Sequence, residues 1–274
     1  MKQIKLKVGT VLLGLSMILA ACAGQIPASP LSATPIPTAT PLPTPPQVET
    51  KSSTNDIIDT TDLVAHYPFN GSTQDVSGQE NHGTLSGGTF VADRFGQPES
   101  AFALDGVDDF IEVDGAKSLN MVFDMSISLW FYHQNQDSQT WYTLAEKSDP
   151  ERDGHSRYGM WLIRDLVEVC IQPADISLPQ RCLDSEIPLA PEQWHHLVGL
   201  SDGRFLHVYI NGQLAGKKDF VSRTNISQSN FELFIGTDLY NHSVIYTKGI
   251  IDDLRLYKRV LSSEEISTLY AAEK

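Results

Sequence analysis

The sequence is short of cysteine, of positive charge and of long apolar runs, and each shortage closes off a class of protein. Twenty Lys and Arg residues face 34 Asp and Glu, a formal net charge of −14. A surface of that sign repels polyphosphate backbones and anionic lipid headgroups, which excludes nucleic acid as a partner. No apolar stretch reaches the ~20 residues that a membrane helix needs. The longest runs from Val8 to Ala21 and is interrupted by Gly, Thr and Ser. Three cysteines have no neighbouring histidines with which to complete a metal site. Catalytic signatures are missing too: there is no Gly-x-Ser-x-Gly, no His-Glu-x-x-His and no phosphate-binding loop. The Glu-x-Asp-x-x-Glu pattern, which sets two carboxyls ~5 Å apart for retaining glycoside hydrolysis, is absent as well. Asp108, Asp109 and Glu112 bracket Phe110-Ile111 at a spacing that suits a loop entering a strand. The expectation is a protein that is not an enzyme.

What is present begins with a basic start, Lys2, Lys5 and Lys7, then the apolar run, then Leu19-Ala20-Ala21-Cys22. This order reads as a signal peptide over residues 1–21. Leu-Ala-Ala-Cys resembles the lipobox of bacterial lipoproteins. The resemblance implies cleavage before Cys22, a lipid on its sulfur, and an extracytoplasmic protein held to the bacterial cell membrane only through that lipid. Cleavage would remove three lysines and no acid, leaving the chain more acidic still. Cys170 and Cys182 then remain as an even pair in an oxidising compartment and are expected to form a disulfide. Residues 22–61 read as a linker. Eight of the 15 prolines lie between Pro27 and Pro46, interleaved with Thr34, Thr38, Thr40 and Thr44. Proline fixes φ and removes backbone donors, so this stretch favours polyproline II, and some 25 residues at ~3.1 Å each span on the order of 80 Å.

From about Asp62 the texture changes to short alternating segments, rich in β-branched and aromatic residues, between Gly, Asn and Asp. Expected strands are Leu63–Phe69, Thr89–Ala92, Ala101–Leu104, Phe110–Val113, Met125–Tyr132, Trp141–Glu146 and Tyr158–Ile163. Leu166–Ile171, Trp194–Leu200, Phe205–Ile210, Gln213–Lys217, Phe231–Gly236 and Gly249–Tyr257 complete the set. Ile127, Leu129 and Phe131 alternate with Ser126, Ser128 and Trp130 and should face the core. Asn211-Gly212 has the chemistry of a type I′ hairpin turn. One helix is expected, where Ser262 and Glu265 form a capping box ahead of Ile266, Leu269 and Tyr270. The reading is an all-β, two-sheet antiparallel jelly-roll sandwich over residues 62–274 with a short C-terminal helix.

Several stretches, in order, resemble the bacterial laminin-G-like branch of the concanavalin A-like family. They include Leu63–Gly71, Asp75-Val76-Ser77-Gly78, Asn81-His82-Gly83, Phe102–Gly106 and Ser128–Phe131. Gln193–Val198, Val208–Gly212 and Gly249–Tyr257 follow, with the Leu261–Ile266 terminus. The resemblance implies that the first and last strands lie side by side, and related domains often hold a calcium there. Simple alternation puts Asp252 in a row with Ile250, Leu254 and Leu256, where an unpaired charge would be costly. Asn70, Asp75 and Asn81, with Asp252, offer the hard oxygens that Ca2+ takes. The alternative is that Asp252 is hydrogen-bonded within the protein and no metal is involved. His195 and His196 point to opposite faces of one strand and so read as structural. Trp141, Tyr158, Trp161 and Tyr240 are the candidate sugar-stacking rings, with burial in the core as the competing explanation. The functional expectation is a non-catalytic carbohydrate-binding module on the cell surface with a structural calcium. The alternative is a protein-binding adhesin or accessory structural lipoprotein.

Overall fold

The computed structural model describes residues 58–134, 141–148, 156–238 and 244–274. The signal segment, Cys22, most of the linker, residues 149–155 and Tyr240 lie outside the described residues. The chain divides into two units, 1–49 and 50–274, and every described residue belongs to the second.

In chain order the strands are β1 (Leu63–Tyr67), β2 (Gly83–Ser86), β3 (Thr89–Val91), β4 (Ala101–Asp105), β5 (Phe110–Val113) and β6 (Met125–His133). Next come β7 (Trp141–Lys147), β8 (Tyr158–Ile163), β9 (Leu166–Ile171), β10 (Arg181–Asp184), β11 (Gln193–Ser201) and β12 (Phe205–Ile210). The last are β13 (Gln213–Asp219), β14 (Leu233–Ile235), β15 (Thr237–Asp238), β16 (Ile245–Tyr246) and β17 (Lys248–Tyr257), before helix α1 (Ser263–Glu273). Two antiparallel sheets form. The first has the order β13-β12-β11-β6-β17-β4-β3, with β1 also paired to β17. The second runs β10-β9-β8-β7-β14-β5-β2. This is the expected jelly-roll sandwich. The sequence reading missed the short strands β2, β10, β15 and β16, which have little apolar alternation to reveal them.

Inner faces meet in one core built from Phe102, Ile127, Leu129, Phe131, Met160 and Leu254 among others. Gly199 lets the sheets approach: a Cβ there would come within 2.3 Å of Val169 Cγ2. The outer face of β6 is covered as well, because α1 packs over it. Ile266 and Leu269 join Val198, Leu200 and Tyr257 in a second apolar cluster, and Trp130 stacks on Tyr270 at 5.8 Å. That is why Ser126, Ser128 and Trp130 are buried although they face away from the main core. The helix starts as its sequence requires, with the Ser262–Glu265 capping box closed in both directions. Asn211 and Gly212 have φ of 52° and 78°, the left-handed pair of the expected hairpin turn. Cys170 and Cys182 are disulfide-bonded across β9 and β10.

Two features depart from the simple pattern. The domain takes in the last residues assigned to the linker, because Ile58 packs on the second apolar cluster and Arg259 donates to the carbonyls of Asp59 and Thr61. Simple alternation also fails along β17. The register to β6 shifts between Asp252 and Arg255, and Asp253 has φ of 50°. This bulge inserts one residue and flips the pleat. Ile251 pairs with Phe131 inside, while Asp252 lies opposite Trp130 on the outer face. Asp252 is therefore not in the row of Leu254 and Leu256.

Candidate functional site

The first and last strands do lie side by side. β1 pairs with the second half of β17, and β4 with the first half. On the outer face at this junction a groove of about 620 Å3 opens between β1, the loop after β3 and the C-terminal end of α1. Its lining includes His66, Arg94, Phe95, Asp253, Arg255 and Tyr257.

The charges there are organised by arginine. Arg94 pairs through Nη1 with Asp252 and through Nη2 with Asp253 Oδ2 at 2.8 Å. Its Nε donates to the Glu273 carbonyl at 2.5 Å. Its guanidinium lies 4.6 Å from the Phe95 ring centre and 4.7 Å from that of Trp130, a cation between two rings. Arg255 Nη2 reaches Asp253 Oδ1 at 3.1 Å and Glu273 Oε1 at 2.8 Å. Trp130 Nε1 donates to Glu273 Oε2 at 3.0 Å. Burial, with the charge of Asp253 beside it, pushes Asp252 up to about 8 in spite of Arg94. Asp253 is held well below the usual carboxylate range: burial works against its charge, and Arg255, His66 and Arg94 outweigh it. Burial lowers His66 against the pull of Asp253, whose Oδ1 lies 3.1 Å from its Nε2.

The four residues expected to share a calcium do not fit one. Asp252 already has a cation in Arg94. Asp75 uses both oxygens: Oδ1 accepts from the amides of His66 and Ser77, Oδ2 from Ser77 Oγ and the Asn81 amide. Asn81 donates Nδ2 to the Val64 carbonyl at 2.6 Å and accepts from Ser118 Oγ at 2.8 Å. Asn70 is exposed. A calcium needs six to eight oxygens, and Asp75 and Asn81 have already spent theirs on tying the loop to β1 and to Ser118. Asp75 and Asp253 instead flank His66, one on its backbone amide and one on its ring. Arg94 is the residue that the sequence reading missed. Nothing in the local pattern of Asp93-Arg94-Phe95 announces a partner 158 residues away.

The candidate stacking rings separate. Trp141 is 44% exposed, whereas Tyr158 and Trp161 are 1% and 3% exposed. Tyr158 belongs to the core, its hydroxyl donating to the Leu119 carbonyl at 2.8 Å. Trp161 lies on the outer face of the second sheet and donates Nε1 to Glu146 Oε2 at 3.0 Å. Both are corrections: their flanking polar residues are partners of a buried ring, not the rim of a binding surface. The exposed ring beside a groove is Phe95, 43% exposed. His196, as expected, is structural. It bonds Ser128 Oγ at 3.0 Å, and burial drops it to about 3.

A laminin-G-like family model, described as the concanavalin A-like lectin/glucanases superfamily, matches residues 105–267, more than half of the chain. The chain belongs to this superfamily. No curated protein sequence matches it. Solved structures similar to this concanavalin A-like domain include the binding domain of Paraclostridial Mosquitocidal Protein 1. That pair has a TM-score of 0.62 and 16% identity over 77% of this chain and 52% of the other. The receptor binding domain of botulinum neurotoxin C/D mosaic serotype aligns with a TM-score of 0.60 and 16% identity, over 78% and 52% of the two chains. Domain 4 of AbnA, a GH43 extracellular arabinanase from Geobacillus stearothermophilus solved with arabinotriose, gives 0.55 and 19% identity over 78% of this chain and 98% of that one. The match thus spans about half the length of the toxin binding domains and nearly all of the arabinanase domain. The two toxin fragments are binding domains, and at these identities the likeness of all three is one of fold.

Proposed function

We propose that the protein is a non-catalytic carbohydrate-binding lipoprotein, displayed outside the bacterial cell by a lipid on Cys22. The observation that carries the binding half is the groove on the outer face of the first sheet. It has an exposed aromatic rim at Phe95 and fixed polar groups at its floor, the usual make-up of a small-ligand site. The arabinotriose held by the AbnA domain, which has the same fold, supports carbohydrate as the ligand class. The domain names of the toxin fragments support binding over catalysis. The anchor reading rests on the residues around Cys22 and on the proline-threonine stretch that follows.

The binding half is tested by affinity electrophoresis of the full-length protein through gels containing arabinan, xylan, β-glucan, mannan or pectin. Retardation in one or more is expected; free migration in all of them counts against it. The anchor is tested by growing cells on an alkyne fatty acid and comparing wild type with Cys22→Ala. Label and membrane association should both disappear in the variant, and their persistence would refute the anchor.

A second reading, a protein-binding adhesin or accessory lipoprotein, has its own observation. Ile176, Leu178, Ile187 and Leu214 expose apolar side chains, and scattered exposed hydrophobics become a docking face only when contiguous.

A further inference from the structure

Two buried donors near the groove have no hydrogen-bond partner: Arg255 Nη1 and Tyr257 Oη. Both residues line the groove. They are two positions apart on β17 beyond the bulge, opposite Ser128 and Ser126, and so share the outer face. Buried donors are nearly always satisfied, and two orphans at one groove therefore need a reason. Arg255 Nη2 is engaged with both Asp253 and Glu273. The side chain is thus fixed with one N–H pair left over, a preorganised donor. Phe95 gives the same groove an exposed flat ring, held in place by the Arg94 guanidinium beneath it.

Charge decides which oxygen the donors await. Arg94 and Arg255 are the two guanidiniums at the groove, and they already face Asp252, Asp253 and Glu273. Among the described residues no net positive charge remains to attract a carboxylate or a phosphate, and the chain as a whole is acidic at −14. A ligand oxygen that is a good acceptor without being an anion fits this balance. A hydroxyl or ring oxygen of a neutral sugar is such an acceptor, and a pyranose or furanose face is the natural cover for an aromatic ring. About 620 Å3 is room for a few sugar units.

We infer that this groove is the carbohydrate site and that it selects uncharged sugar units, with Phe95 as the stacking face and Arg255 Nη1 and Tyr257 Oη as donors to sugar oxygens. The inference rests on the carbohydrate reading above and narrows it to one place and one ligand class. Both donor atoms are closed off from water in the unliganded protein, so a small side-chain shift at the groove floor accompanies binding.

Isothermal titration of the full-length protein with neutral arabino-, xylo-, gluco- and manno-oligosaccharides, and with oligogalacturonides, tests it. Wild type is compared with Tyr257→Phe and Phe95→Ala, and thermal melts verify that the variants fold. Tyr257→Phe removes one hydroxyl that no protein group uses, so the melt should stay where it is. A neutral oligosaccharide is expected to bind, with affinity falling about three- to tenfold in Tyr257→Phe and further in Phe95→Ala. Oligogalacturonides should bind more weakly than the neutral series. Neutral binding that both variants leave unchanged overturns the site while the carbohydrate reading stands. Preference for oligogalacturonides overturns the ligand class. Failure of every saccharide to bind removes the carbohydrate reading and this inference with it.

Discussion

Replacing Arg94 by alanine is the sharpest test of how the groove is held together. The substitution deletes the pairs to Asp252 and Asp253, the bond to the Glu273 carbonyl and the stack between Phe95 and Trp130. The side chains of Arg94 and Asp252 are only 6% and 3% exposed. Removing one member of a buried pair costs about 3–5 kcal/mol, because the other charge is left without compensation. Asp252, near 8 even with Arg94 beside it, already holds a proton at neutral pH and keeps it in the variant, which spares part of that loss. A cost near the lower bound, about 3 kcal/mol at pH 7, follows. For a domain of this size it corresponds to a melting point roughly 6–12 °C lower. The pH dependence has a definite sign. The pKa of Asp252 is raised on folding, so its contribution to stability is complete below about 4 and fades as pH rises towards 8. Because Arg94 lowers Asp252, its loss raises that carboxyl further, so above pH 8 only the variant keeps losing stability to hold the proton, and the gap to wild type should widen from pH 7 to pH 9. Melts by circular dichroism over that range provide the assay. A variant that melts within 2 °C of wild type at every pH would refute the reasoning.

Three further outcomes follow from other parts of the fold. Burial and the nearby charge of Asp238 push Glu146 up to about 8, so wild type should lose stability as pH climbs from about 4.5 to 8; Glu146→Gln should flatten that decline in melts at pH 5 and pH 8.5. Reducing Cys170–Cys182, which closes a 12-residue separation, should cost about 3 kcal/mol, read as the shift in urea midpoint with and without reductant. Ser262→Ala removes the side-chain half of the capping box, the bond from the Glu265 amide to Ser262 Oγ, and should cost about 1 kcal/mol in the same urea titration.

The sandwich was largely legible in the sequence because sheet residues alternate with a fixed period. β5, β8, β9 and β12 begin and end where the pattern puts them. The capping box placed α1 because its chemistry is local. Legibility ended where the backbone departs from that period. The bulge at Asp252–Asp253 inverts the faces of β17, and one inserted residue moved Asp252 out of the apolar row that had made it look like a metal ligand. The compensating charge was foreseen in kind but not in identity: a cation does sit on Asp252, and it is Arg94, brought there by a long-range fold contact. Trp161 and Tyr158 illustrate the other limit. Polar neighbours along a strand look the same whether a ring faces a ligand or a buried carboxyl such as Glu146. Phe95, flanked by an ordinary turn sequence, gave no sign that it would rim the groove.

The most direct test of the account is a crystal structure of the protein soaked with a neutral oligosaccharide that binds in solution, with EGTA in the soak. The account predicts sugar density against the Phe95 ring, with an oxygen within hydrogen-bond distance of Arg255 Nη1 or Tyr257 Oη and no metal among Asn70, Asp75, Asn81 and Asp252. Sugar bound instead beside Trp141 on the second sheet, with the groove untouched, would contradict it.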